Sequence, residues 1–209
     1  MDETDITKTI STTKISPFKY NYFYHMGVWV DLNMDGRKDF LTARSNAKKD
    51  GGELVWFEHP VEGLDVDEWV EHVVTAGPDV GIEVVDNLYA GELVVFAAEF
   101  FNEKVSMYRV SKIDGSLVDS RLIDDTILSA YSVTYADING DGEKELMVNN
   151  HEKSDKTNGI WAYSPPSDWM RGDWEKHTLA TGFKNAFSIT VPNMAPGFPY
   201  PFYPKVSDA

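Results

Sequence analysis

The sequence repeats itself at long range, and that duplication limits the fold more than any local feature. Val30-Asp31-Leu32-Asn33-Met34-Asp35-Gly36-Arg37-Lys38-Asp39 is matched by Ala136-Asp137-Ile138-Asn139-Gly140-Asp141-Gly142-Glu143-Lys144-Glu145. The likeness continues downstream, where Leu54-Val55-Trp56-Phe57-Glu58-His59-Pro60 aligns with Ile160-Trp161-Ala162-Tyr163-Ser164-Pro165-Pro166. Further on, Glu68-Trp69-Val70-Glu71-His72 aligns with Asp173-Trp174-Glu175-Lys176-His177. Three markers that keep nearly one offset describe a structural unit used more than once.

Asp31 and Asp137 lie 106 positions apart, about twice the 40–50 residues of a four-stranded propeller blade. A degenerate copy is therefore expected halfway, and Gly81-Ile82-Glu83-Val84-Val85-Asp86-Asn87 followed by Gly91-Glu92-Leu93-Val94-Val95-Phe96 supplies it. This copy keeps two strands and the leading Asp86 but lacks the other acidic positions. Short apolar runs bounded by Gly, Asp, Asn and Pro place the four strands of the first unit at 26–30, 40–44, 53–58 and 69–74. A further first strand is expected at 187–191 and a last strand at 6–14. The expectation is an all-β single domain over 1–209, a β-propeller of four-stranded antiparallel blades. Its three full blades would span about 25–77, 80–126 and 130–182, with a partial blade from 1–20 and 185–209. Three units leave the ring unfinished. The tail Ala195-Pro196-Gly197-Phe198-Pro199-Tyr200-Pro201-Phe202-Tyr203-Pro204 cannot supply a regular ladder, because Pro has no N–H. Either the fourth blade is irregular or the chain belongs to a larger propeller. Aromatic residues at 13%, with 15 Gly and 10 Pro, suit short strands joined by turns.

The matching loops are rich in oxygen donors. A calcium ion takes six to eight oxygens at roughly 2.3–2.6 Å, with a Gly at the sharp turn. In the first loop the side-chain donors are Asp31, Asn33, Asp35 and Asp39, with the Arg37 carbonyl and with Gly36 at the turn. In the second they are Asp137, Asn139, Asp141 and Glu145, with the Glu143 carbonyl and Gly142. An EF-hand is excluded, because its twelfth position, a bidentate Glu, is Thr42 or Val148 here and the flanks are β-like. The loop at Asp86 reads as an ordinary turn. A formal charge of −15 favours cations and disfavours nucleic acid and anionic membranes. With no Cys there is neither a disulfide nor a thiolate metal site.

The Asp-x-Asn-x-Asp-Gly-x-x-Asp/Glu loops resemble those of the FG-GAP or VCBS repeat family, over roughly residues 20 to 192. Members of that family look like β-propellers, among them the integrin α-subunit head, and their loops hold structural calcium. The resemblance implies calcium as the cofactor of both loops. The lost middle loop and the missing remainder of the ring depart from it. Trp56-Phe57-Glu58-His59-Pro60 and the Trp69-x-x-His72 spacing are also similar to propellers of fungal sugar-lyase type, such as aldos-2-ulose dehydratase.

Strand direction separates the metal loops from a ligand surface. Each innermost strand runs from a front face to a back face, so the acidic loops lie at the back. The front gathers His25, Asp79, Tyr131 and Asn185 from the starts of first strands, and Arg44, Asn46, Glu99, Asn149 and His151 from the ends of second strands. His25, Arg44, Glu99, Tyr131 and His151 are the ligand-binding candidates, suited to a sugar or to proton abstraction. No nucleophile elbow, phosphate-binding Gly loop or metalloprotease helix is present. His72 and His177 recur beside Trp69 and Trp174, which assigns them to repeat packing, as period two does Trp56, Phe57, Trp161 and Tyr163. His151-Glu152 lacks the second His of a zinc-protease motif. An exposed aromatic such as Trp169, or the Tyr200 to Tyr203 cluster, could serve a sugar or partner surface. The leading expectation is a calcium-binding module for carbohydrate or protein; the alternatives are a sugar-processing lyase or dehydratase on the same scaffold, and an architectural part of a larger extracellular protein. No run approaches the roughly 20 apolar residues of a membrane helix, and Met1-Asp2-Glu3-Thr4-Asp5 lacks the features of a secretory signal. Secretion is still expected, because weak sites of this kind suit extracellular calcium.

Overall fold

β-Branched and aromatic side chains fit a pleated, half-buried surface, and the apolar runs of this chain become strands wherever turn residues bound them. The computed structural model describes residues 12–16, 19–46, 48, 51–64, 66, 68–184 and 196–201. The first sheet contains β1 (Tyr22–Val30), β2 (Asp39–Asn46), β3 (Gly52–Glu58) and β4 (Val70–Ala76). The second contains β5 (Gly81–Asp86), β6 (Glu92–Glu99), β7 (Lys104–Ser111) and β8 (Leu117–Asp124). The third contains β9 (Ala130–Ala136), β10 (Glu145–Asn150), β11 (Gly159–Ser164) and β12 (Glu175–Thr181). Each is an antiparallel meander in chain order, including the degenerate middle unit. Among the described residues there is no helix, and hence none long and apolar enough to cross a membrane. The strand expected at 187–191 and most of the one expected at 6–14 lie outside the described residues, as does most of the partial blade assigned to 1–20 and 185–209.

A backbone irregularity recurs in all three sheets. Where the third strand pairs with the fourth, the register shifts between Leu54 and Val55, between Val105 and Ser106, and between Ile160 and Trp161. The extra residue on the fourth strand is Val74, Ile123 or Leu179. Such a bulge bends its strand and adds twist. The middle unit has lost its acidic loop yet keeps this bend, so it is a structural repeat of the other two.

Side chains alternate across each third strand and so serve two different interfaces. Leu54 and Trp56 pack with Ile82, Leu93, Val95 and Tyr108 between the first and second sheets. Val105, Met107 and Phe96 pack with Val133, Leu146, Val148, Trp161 and Tyr163 between the second and third. On the first sheet's other face Val55, Phe57 and Trp69 are covered by Ile15 and Val66. The sheets thus stack in chain order, with β5 against β1 and β2, and β9 against β5 and β6. All four of Trp56, Phe57, Trp161 and Tyr163 are buried, as their spacing predicts. The outer strands carry charged groups such as Glu71, Arg121 and Lys176, which discourage edge-to-edge pairing.

Arg44 is a buried charge of the first sheet. Its side chain is fully enclosed, and its guanidinium donates to Glu53 at 2.6 and 2.9 Å, to Glu71 at 2.8 and 2.9 Å and to the Tyr24 hydroxyl at 3.2 Å. Burial opposes the charge, but the bonds to Glu71 and Glu53 outweigh it and hold the pKa above the ordinary arginine value. Removing a partner from such a group typically costs about 3–5 kcal/mol. Glu53 and Glu71 keep some access to water, so Arg44→Ala is expected to lower the unfolding free energy by about 3 kcal/mol in urea denaturation, the low end of that range.

Candidate functional site

The two acidic loops begin where β1 and β9 end, and they fold alike. In the first, Asp31 accepts hydrogen bonds from the Gly36 N–H at 2.9 Å and the Asp35 N–H at 3.2 Å. Asn33 accepts from the Asp35 N–H at 3.2 Å, and Asp35 from the Arg37 N–H at 2.8 Å. Asp39 closes the loop, taking the Leu32 N–H at 2.8 Å and the His59 N–H at 2.9 Å. In the second, Asp137 accepts from Gly142 at 2.9 Å and Gly140 at 2.7 Å, Asn139 from Asp141 at 2.9 Å, Asp141 from Glu143 at 2.8 Å, and Glu145 from Ile138 at 3.1 Å. The turn needs a left-handed residue, and Gly36 and Gly142 provide it at φ of 84° and 95°.

Each loop offers only hard oxygen donors, which fits a calcium-type cation and no softer metal. Asp31, Asn33, Asp35, Asp39 and the Arg37 carbonyl would hold the ion in one, and Asp137, Asn139, Asp141, Glu145 and the Glu143 carbonyl in the other. Bound there, calcium would cross-link the loop and neutralise its carboxylates. Among the described residues no three carboxylate or imidazole groups converge on one point. The carboxylates are instead spread over the loop's own N–H groups, and the Arg37 guanidinium sits on Asp35. Burial pushes the Asp39 carboxyl up, and the negative charges of Asp35 and Asp31 add to the effect. A bound cation would relieve that repulsion. In the middle sheet Asp86 pairs with Lys112 at 3.0 Å beside a left-handed Asn87, an ordinary turn with its own counter-charge.

At the opposite end of the inner strands lies a cavity of about 180 Å³ lined by His25, Met26, Val80, Gly81, Tyr131 and Phe198. A Cβ on Gly81 would lie 2.6 Å from the Tyr131 carbonyl oxygen, so glycine is what lets β5 approach β9 here. Burial lowers the His25 pKa, favouring the neutral ring, and its Nε2 lies 3.2 Å from the Ser45 hydroxyl. The Tyr131 ring stands 4.9 Å from His151 and 6.3 Å from Phe100. Of the five ligand candidates, His25, Tyr131 and His151 therefore come to this end of the stack. Arg44 and Glu99 are committed elsewhere: Glu99 is fully buried, accepts from the Tyr108 hydroxyl at 2.7 Å and pairs with Lys104 at 3.3 Å. Sequence reasoning missed Phe100 and Phe198, whose one signal is an aromatic beside a turn or a proline.

Other expected positions fall as follows. Trp169 is partly buried and packs on Tyr135 at 5.5 Å, Trp174 at 5.3 Å and Phe96 at 6.0 Å. A loop aromatic looks exposed in sequence, but this loop folds back over the second core. His72 stacks on Trp56 at 4.1 Å and bonds Glu58 at 2.9 Å, while His177 lies 3.2 Å from the Ser164 hydroxyl at the matching point of β12. Both serve the sheets. Asn185 and Tyr203 lie outside the described residues. Neither the protein-family models nor the curated proteins give a match to this chain.

Asp79 braces the front end. Its carboxylate accepts the N–H groups of Phe100 at 2.6 Å, Phe101 at 2.8 Å and Asn102 at 3.3 Å, which orders the turn that carries Phe100. Burial pushes its pKa up to about 6, with the Glu99 charge adding to the rise and the three N–H donors resisting it. A carboxyl raised in the folded state stabilises the fold at low pH and loses that contribution as pH rises through about 6. Between pH 5 and 7.5 this group should cost about 1–2 kcal/mol of stability. Urea titrations across that range should show the decline in the native chain and a flatter profile in Asp79→Asn.

Proposed function

We propose that this chain is a calcium-stabilised arc of a β-propeller of FG-GAP or VCBS type, acting outside the cell as a binding module for a carbohydrate or protein ligand on its front face. The observation that carries the reading is the pair of loops with one hydrogen-bonding plan at the same point of the first and third sheets. Calcium held there would brace the back of the stack, away from the aromatic cavity, and offset part of the charge of −15.

A comparison of the sheets supports the propeller arrangement. In the first, Leu32, Trp56 and Val74 are covered by the second sheet. Their counterparts in the third, Ile138, Ala162 and Leu179, line a cavity of about 220 Å³, with Leu179 49% exposed. A further blade would cover them as the second sheet covers the first. Binding is favoured over sugar lysis because the front carboxylates are engaged, Glu99 with Tyr108 and Lys104 and Asp79 with three backbone N–H groups. The cavity is lined by the rings of Tyr131 and Phe198, the His25 imidazole and the apolar Met26 and Val80, a mixture that holds a sugar ring or a peptide.

Melting curves with calcium and with chelator test the metal. A site saturated at a hundred times its Kd adds about 2.7 kcal/mol, so Asp35→Ala and Asp141→Ala should each lose part of a calcium-dependent rise in Tm. The second loop should respond at lower calcium, because Arg37 competes with the ion only in the first. Identical melting with and without chelator would reject calcium as the stabiliser. A glycan array coupled to product analysis tests the front face: binding without turnover, lost in Tyr131→Ala, is the expected result.

A further inference from the structure

The front cavity already has a tenant. The segment Pro196-Gly197-Phe198-Pro199-Tyr200-Pro201 reaches it, and the Phe198 ring forms part of its wall, 5.1 Å from the ring of Tyr131. Asn149, a fully buried side chain at the end of β10, secures the segment. Its Oδ1 accepts from the Ser132 N–H at 3.1 Å and from the Ser132 hydroxyl, which fixes the orientation of the amide. Its Nδ2 then donates to the carbonyls of Pro196 at 3.0 Å and Gly197 at 3.2 Å, with a longer contact to the Asn150 carbonyl at 3.5 Å.

This arrangement has the chemistry of peptide recognition. Proline has no N–H, so a proline-rich stretch offers its neighbours carbonyl oxygens and ring faces, and it holds an extended shape at little entropic cost. A buried amide aimed at two successive carbonyls, next to an aromatic shelf, matches that offer. Phe198 and Tyr200 stay 50% and 69% exposed, so the segment rests on the surface and is not woven into the core. Were it to leave, the Asn149 amide would be left aimed at a site that needs a carbonyl acceptor.

We propose that the groove formed by Asn149, Tyr131 and His25 is a docking site for extended peptides bearing proline and an aromatic residue, and that segment 196–201 fills it as an intramolecular ligand which an outside peptide displaces. This rests on the reading of the front face as a binding surface and is independent of calcium. A tethered ligand acts at millimolar effective concentration, so an outside peptide at micromolar concentration meets a closed groove until the tether is weakened.

The test uses the full chain and a fluorescent peptide of residues 195–203, titrated with calcium and again with chelator. Phe198→Ala, which changes a half-exposed ring, should bind the peptide at least tenfold more tightly than the native chain does. The same peptide with its own phenylalanine at position 198 changed to alanine should lose that binding, a control that needs no destabilising change in the protein. Adding Tyr131→Ala to Phe198→Ala should abolish it in a chain whose melting is otherwise retained. Equal affinity for the native chain and Phe198→Ala, or indifference to the peptide's phenylalanine, would overturn the proposal. A front-face glycan bound by a protein that ignores the peptide would also overturn it while leaving the binding-module reading intact; equal peptide binding with calcium and with chelator is the expected result, so failure of the calcium reading leaves peptide docking supported.

Discussion

A four-stranded sheet with two apolar faces cannot be stable alone, and the rest of this structure follows from how those faces are covered. Phe57, Tyr108 and Tyr163 occupy corresponding places in the three third strands, and each points back toward the preceding layer. In the second and third sheets that layer is a sheet; in the first it is Ile15 and Val66. The hydroxyls of the two tyrosines find Glu99 and Asp124 at 2.7 Å, so each polar tip is satisfied while its ring seals an interface. Trp56 points the other way, and its indole lies against Gly115 in the turn between β7 and β8, where φ of 67° and the lack of room for a Cβ both call for glycine. The stack is therefore directional: the first sheet is received by the second, and the second by the third.

Much of this was legible because it depends on periodicities. A Trp-x-x-His spacing, an Asp-rich loop and alternating apolar runs mark where strands begin and end, and the middle unit follows from half of a repeat interval even without its acids. What was not legible depends on partners distant in sequence. Arg44 and Glu99 stand at strand ends, where a charged residue reads equally well as a ligand contact or as half of an ion pair. Glu71, 27 residues from Arg44, decides the matter for one, and Tyr108 and Lys104 decide it for the other. The bulges at Val74, Ile123 and Leu179 leave no mark either, since ordinary apolar residues occupy them and the irregularity belongs to the backbone pairing. The packing of Trp169 is hidden for a related reason: a loop can fold back onto a core, and composition does not record its path.

The three loops at the back of the sheets answer one electrostatic problem in three ways. In the first, Arg37 reaches back onto Asp35 while its Nε donates to the His59 carbonyl at 3.3 Å, so the chain carries its own cation. In the second, the acidic set has shrunk to Asp86, and Lys112 from the turn after β7 meets it. In the third, among the described residues no basic side chain pairs with Asp137 or Asp141, and Lys144 lies 5.6 Å from the ring centre of Tyr135 instead. The residue at Arg37's place is here Glu143, which adds negative charge where the first loop adds positive. On the proposed reading, the need for an outside cation therefore rises from the middle loop through the first to the third. The third sheet also leaves Leu179 exposed beside Ile138, so order in its loop would bear directly on that open surface. A divalent ion there would hold the Ile138 side of that surface in place, joining the chemistry of the loop to the packing of the sheet beside it.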